Sequence, residues 1–275
     1  MRKRLTALIL FAILAVSCSS PAGESLPEGF NRQISVFGVR IWATPSVSET
    51  TLLRAGMVLA QYLDNDEDGK ADNSLVAAEL ASKNATIMMF ATQSEAEAFD
   101  FDKLPSDIQA AQDLYSSETN PEFDPDGENS FFDASLEEVL HIITSCGYAG
   151  AYPEVFGLQH GSTLSVAMDT ARGGYFPQIP ELYPQNAWYT YYDRTCMYEC
   201  QITEYIYWTI TSSLGAQDYS GRYQEISDEW RLNTPELLRA TDTRVTEIID
   251  NPEYKLPAVL PDNTYNGFDI TVTEL

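Results

Sequence analysis

Residues 46–82 read SVSETTLLRAGMVLAQYLDNDEDGKADNSLVAAELAS. Apolar residues at Leu52, Ala55, Gly56, Leu59, Tyr62 and Leu63 recur at helical spacing, and Ser46-Val47-Ser48-Glu49 has the form of a capping box at the start of that helix. A second helix is expected from about Ser74 to Ser82, so the acidic run Asp64–Asp72 becomes the bend between two helices. Upstream, Ile34–Ile41 alternates enough to predict one strand, and downstream Ala85–Phe90 is a compact apolar run that predicts another. The stretch therefore places strand, helix, loop, helix and strand in succession.

Further on, Ser94-Glu95-Ala96-Glu97 starts a helix, and 116–130 is acidic and proline-containing, which predicts a long surface loop. Helices are expected near Ser135–Cys146, Ser162–Ala171 and Tyr198–Leu214, with Gly147, Gly173 and Gly215 at their ends. Thr234-Pro235-Glu236 opens another, and the chain after Pro252 reads as extended. The expected fold class is α+β, predominantly helical, with a few short strands near the N-terminal part. The expected organisation is a leader over 1–17, a tether over 18–25 and one globular domain over 26–275, with a sub-boundary near 120.

The bend itself has the pattern D-x-D-x-D-G-x-x-D. Alternate positions of a tight loop aim their side chains at one centre, and calcium takes six to eight oxygen ligands. Asp64, Asp66 and Asp68 would supply carboxylates, Lys70 its backbone carbonyl, and Asp72 a direct or water-mediated contact. The loop resembles an EF-hand and the short aspartate loops of extracellular calcium modules. It departs from the EF-hand at the twelfth position, where Leu75 replaces the bidentate glutamate. The resemblance implies one weak, mainly structural calcium site. The patch 124–129 is a lesser candidate of the same kind.

The first residues carry a different signal. Arg2-Lys3-Arg4 precede an apolar run from Leu5 to Val16, which is short for a membrane span and suits an export leader. Ala15-Val16-Ser17-Cys18 resembles the lipobox of bacterial lipoproteins. That resemblance implies cleavage before Cys18, lipidation of its thiol, and a cell-envelope location. Ser19 suits lipoproteins of the outer membrane of a Gram-negative bacterium. The membrane, through Cys18, is then the expected partner. The chain carries 16 basic and 41 acidic residues, a net charge of −25, and loss of the leader's three basic residues deepens this to −28. Such a field repels phosphate backbones, which argues against nucleic acid as a partner, and it attracts cations. Export also implies an oxidising compartment. Cys196 and Cys200, four apart, are candidates for a local disulfide, which leaves Cys146 free.

Ser135-Leu-Glu-Glu-Val-Leu-His141 places Glu137 four and Glu138 three residues before His141, on one helical face. It resembles a degenerate form of the H-E-x-x-H helix of zinc metallopeptidases, with Glu137 in the place of the first histidine. The resemblance implies zinc held by Glu137, His141 and a downstream glutamate, with Glu138 as general base in a peptidase-like hydrolase. Glu204 is the candidate third ligand, and Cys196, Cys200 and Glu204 follow at four-residue steps along one face. Ser135 and Glu138 also fit a capping box, which would make His141 an ordinary packed histidine. Finally, 188–192 and 205–208 are dense in Trp and Tyr. Such rings usually form core and rim packing, and exposed ones would make a surface module for peptides or glycans.

Overall fold

The computed structural model describes residues 26–127, 129 and 131–275. The leader, Cys18 and the tether lie outside the described residues. The fold class is α+β: a mixed five-stranded sheet with helices packed against it.

The sheet begins as a hairpin, β1 (Arg32–Val36) and β2 (Val39–Ala43), paired antiparallel from Arg32↔Ala43 to Val36↔Val39. The single strand expected over Ile34–Ile41 is therefore two. Its apolar alternation runs straight through a two-residue turn, Phe37 and Gly38, both at positive φ as a tight hairpin requires. Gly38 has a second reason to be glycine: a Cβ there would sit 2.8 Å from that of Ala81.

α1 (Glu49–Leu63) and α2 (Ser74–Ser82) cross over to β3 (Thr86–Phe90), which lies parallel to β2. Ser48 caps α1 by accepting the Thr51 amide, whereas the Ser46 hydroxyl donates to Glu95. The cap is thus two residues later than the box pattern suggested. A short α3 (Gln93–Glu97) leads to β4 (Ala111–Tyr115), parallel to β3 and at one edge of the sheet. The strand order is β4-β3-β2-β1-β5, where β5 (Thr273–Glu274) brings the C-terminus back beside β1. Strands are thus not confined to the N-terminal part.

β3 is buried on both faces. Ile87 and Met89 join the main core, while Met88 and Phe90 join a smaller cluster with Phe30 and Trp42. The main core is roofed by α1 and by α4 (Ser135–Ile142), which continues as a π-helical turn, Ile143–Tyr148. Gly147, expected at a helix end, lies inside this turn, where a Cβ would collide with Val76. Gly173 and Gly215 do take positive φ at helix ends.

Short helices α5 (Ala149–Ala151) and α6 (Pro153–Phe156) precede α7 (Thr163–Ala171). α8 (Tyr198–Ser213) is the second long helix and packs against α4. α9 (Arg222–Ile226), α10 (Pro235–Thr241) and α11 (Thr243–Ile249) complete the helical part.

A buried ion pair, Arg54 Nε to Asp133 Oδ2 at 2.7 Å, ties α1 to the start of α4. Asp133 also accepts the Ser135 amide and hydroxyl, so it fixes the entry into α4, and the Ser135–Glu138 box is not the cap. Among the described residues no helix is long and apolar enough to cross a membrane.

Candidate metal centres

α4 turns its apolar stripe of Leu136, Val139 and Leu140 into the core, continued by Ile143 of the π-helical turn. The helical period then leaves Glu137, Glu138 and His141 on the flank that meets α8. His141 is only 7% exposed and packs edge-on against the Tyr207 ring, 5.5 Å between centroids. Its two nitrogens face different carboxylates. Nδ1 lies 3.3 Å from Glu138 Oε2, and Nε2 lies 3.4 Å from Glu204 Oε2 on α8. Glu138 is fixed from its other side by Gln112 of β4, whose amide donates to the same oxygen at 2.5 Å. Glu137, Glu138 and His141 each offer an atom within 4.8 Å of the others, and the Tyr207 hydroxyl faces Glu137. Glu204 joins the group through His141.

A carboxylate only accepts, so the nitrogen facing Glu138 carries a proton. The Nε2 atom is near enough to Glu204 for an ion pair, yet it is buried and has no aligned hydrogen-bond partner. A lone pair facing a carboxylate in a dry interior is repulsive unless a cation, either a proton or a metal ion, lies between them.

The surroundings are short of positive charge. Burial pushes the Glu137 carboxyl up to about 8, with Glu138 and Glu204 adding to the rise and His141 opposing it. Burial also lifts Glu229, just before Trp230, to about 7 against the indole N–H that Trp208 donates to it at 2.7 Å. His141 is held well above its ordinary value: burial opposes this, but Glu204 and Glu138 outweigh it.

One turn before Glu204 stands a disulfide between Cys196 and Cys200, with Cα atoms 5.2 Å apart. Both sulfurs lie within 4.8 Å of a Glu204 oxygen. Cys146 is a free, partly buried thiol.

The acidic bend has a different character. Asp64 is fully buried, and its Oδ2 accepts the Gly69 amide at 2.9 Å and the Tyr265 hydroxyl at 2.6 Å. Its Oδ1 and that of Asp66 share the Asp68 amide. Asp72 accepts the Asn65 amide and side chain. Oxygens of Asp64, Asp66 and Asp72 lie within 4.8 Å of one another. Asp68 is instead turned towards Lys70, which pairs with it at 2.8 Å in the open; the hydrogen bond from Lys70 holds Asp68 below the usual carboxylate range. Leu75 is exposed and contributes no oxygen.

The C-terminal segment straps this bend. Asn266 donates to Glu67, Ala258 and Val259 amides to Asn65, and Lys255 to the Asp72 carbonyl. Gly69 has φ +84°, and a Cβ there would press within 3.0 Å of the Gly267 carbonyl. The sequence pattern around the bend does not foretell these partners, which come from almost 200 residues away. The patch at 124–129 closes on itself, with Asp124 and Asn129 exchanging hydrogen bonds.

The aromatic stretches are mostly core: Tyr189, Tyr205 and Tyr207 are fully buried, with Trp208 close behind, and Trp230 packs on Tyr189 and Tyr205. Trp188 donates its indole N–H to Asp242, and Tyr192 stands half exposed.

Gln112 and Tyr207 were not legible as members of the α4–α8 centre, since neither sits in a recognisable spacing with His141. Compared with known proteins, the chain matches no family model, no curated protein and no solved structure.

Proposed function

We propose that the protein binds a zinc-type divalent ion between α4 and α8, with Glu137, His141 and Glu204 as ligands. The observation that carries this reading is the buried Nε2 of His141, which faces Glu204 at 3.4 Å without an aligned hydrogen bond. Two ligands at roughly 2.0–2.1 Å from a tetrahedral ion stand about 3.3–3.4 Å apart, so the spacing suits an ion between them. Glu138 completes a carboxylate–histidine arrangement: it receives Nδ1–H, fixes the ring and leaves Nε2 free to ligate. An ion held there would supply Lewis-acid chemistry to a hydrolytic step. The resemblance of the Glu-Glu-x-x-His helix to zinc metallopeptidases makes peptides the substrate class of that reading.

Metal analysis of the purified full chain after zinc loading tests the centre. About one zinc per chain is expected, falling to background in His141→Ala. Background zinc in folded wild type would sink it. Glu138→Gln then separates its two roles. Loss of peptidase activity with zinc retained marks a base, and loss of zinc marks a positioning residue.

A second reading concerns the acidic bend, favoured by the convergence of Asp64, Asp66 and Asp72 oxygens. There a calcium ion would be structural and would lock the strap onto the bend. Envelope location through a lipid on Cys18 remains part of the proposal and is tested by the mass of the mature chain. A Cys18→Ala variant is expected to stay uncleaved and free of acyl groups.

A further inference from the structure

We infer that Glu204 belongs to two donor sets, and that the Cys196–Cys200 pair, once reduced, forms a thiophilic-cation site with it. Both sulfurs lie within 4.8 Å of a Glu204 oxygen, while Glu204 Oε2 stands 3.4 Å from His141 Nε2. Cys-x3-Cys falls within the spacing by which paired cysteines hold zinc. His141 Nε2 faces the same carboxylate at 3.4 Å without an aligned hydrogen bond, so Glu204 stands between two groups that can each share a cation with it. The inference rests on the proposed centre only for the placement of Glu204.

The disulfide is suited to exchange. It closes a loop of only a few residues, so it removes little entropy from the unfolded chain. α8 is anchored instead by buried Tyr205, Ile206, Tyr207 and Trp208. Cys196 lines a cleft of about 340 Å³ together with Arg194, Met197 and Gln201, which gives a reductant an approach. A dithiol reductant attacks one sulfur as thiolate and forms a mixed disulfide. Its second sulfur then closes on the first, the reductant leaves as its own disulfide, and two electrons and two protons pass to Cys196 and Cys200. Binding of the cation releases the thiol protons to solvent. Glu204 then serves the sulfur site, with His141 ion-paired behind it, and is withdrawn from the centre on α4. The redox state of one cystine thus decides which site holds the shared carboxylate.

Cobalt(II) titration of the chelator-treated full chain reads both states. The protein is compared oxidised and after phosphine reduction, with circular dichroism checking the fold of each sample. Reduced wild type and Cys146→Ser are expected to give a near-ultraviolet sulfur-to-cobalt charge-transfer band that oxidised protein and reduced Cys200→Ser lack. Glu204→Gln should weaken cobalt binding to the reduced protein by about tenfold or more. A folded, reduced protein without the band, or a cobalt affinity indifferent to Glu204→Gln, overturns the inference. Cobalt bound by oxidised protein without that band and lost in His141→Ala reports the α4–α8 centre, as distinct from the acidic bend. If that binding fails while the reduced protein keeps its band, the proposed centre falls and the sulfur site stands.

Discussion

The molecule gathers carboxylates in two places and treats them in opposite ways. In the bend at 64–72 they are surrounded by donors: the amides of Asn65, Asp68, Gly69 and Lys70, the Tyr265 hydroxyl and the Lys70 ammonium. Between α4 and α8 the side chains of Glu137, Glu138 and Glu204 converge on one imidazole, with Gln112 and Tyr207 as the neutral neighbours. The first cluster satisfies its charge through the backbone of a turn and would gain modestly from an ion. The second is made of helix side chains, whose own backbone amides are already spent within the helix, so beyond the donors on Gln112 and Tyr207 it settles its charge with protons or a metal. Density of acidic residues is thus a poor guide to cation demand; the supply of donors decides.

The sharpest way to break this contrast is His141→Ala. It should lower zinc affinity by about 100-fold or more, measured by competition with a chromophoric chelator, while calcium binding at the bend stays unchanged. Equal zinc affinity in the variant would mean that the helix pair is merely packed. The contrast also has a pH signature. Glu137 lies up at about 8 in the fold, and His141 is likewise raised. Raised groups hold protons in the fold that the unfolded chain has released. Their contribution is therefore complete in acid and is lost as pH climbs, from the ordinary glutamate range towards about 8 for Glu137 and above the ordinary histidine value for His141. The melting temperature of metal-free protein should fall from pH 5 to 8.5. With zinc the fall should shrink or reverse, because ligation needs the deprotonated groups. A flat apo profile would deny that these groups are protonated in the fold.

Asp64→Ala asks how much the bend depends on its own hydrogen bonds. Asp64 is buried and receives two amides and a phenol, so the loss should cost about 2–3 kcal/mol in denaturant unfolding without calcium. Limited proteolysis should then cut first in the strap, 254–267. A calcium-free cost near zero would show that the bend is held by something else.

Much of this was readable beforehand, for identifiable reasons. α1, α2, α7, α8 and α10 follow from apolar periodicity and local caps such as Ser162 and Thr234, which act within a few residues of themselves. The meeting of Glu204 with His141, 63 positions apart, was reachable because a metal-type donor set restricts which residues can be partners. The hairpin at Phe37–Gly38 escaped because strand alternation does not register a turn of two residues. Asp133 escaped as the link between α4 and Arg54 because it lies just outside the Glu-Glu-x-x-His pattern. The strap escaped altogether: the tail carries no periodicity, and its fit to the bend is written in single hydrogen bonds from Lys255, Tyr265 and Asn266.

The strap gives the smallest and most discriminating effects. Asp66 is exposed and accepts only the Asp68 amide, so Asp66→Ala should barely alter calcium-free stability. It should abolish a calcium increment of about 1.4 kcal/mol at 1 mM for a site with Kd of about 0.1 mM. Tyr265→Phe removes one donor from Asp64 and should cost about 1 kcal/mol with or without calcium, since Gly69 and Asp68 amides remain. If instead calcium makes good the lost hydroxyl, so that Tyr265→Phe matches wild type at millimolar calcium, then ion and tail compete for the same oxygen. The strap would then lie over the bend only while the ion is away, the reverse of a lock.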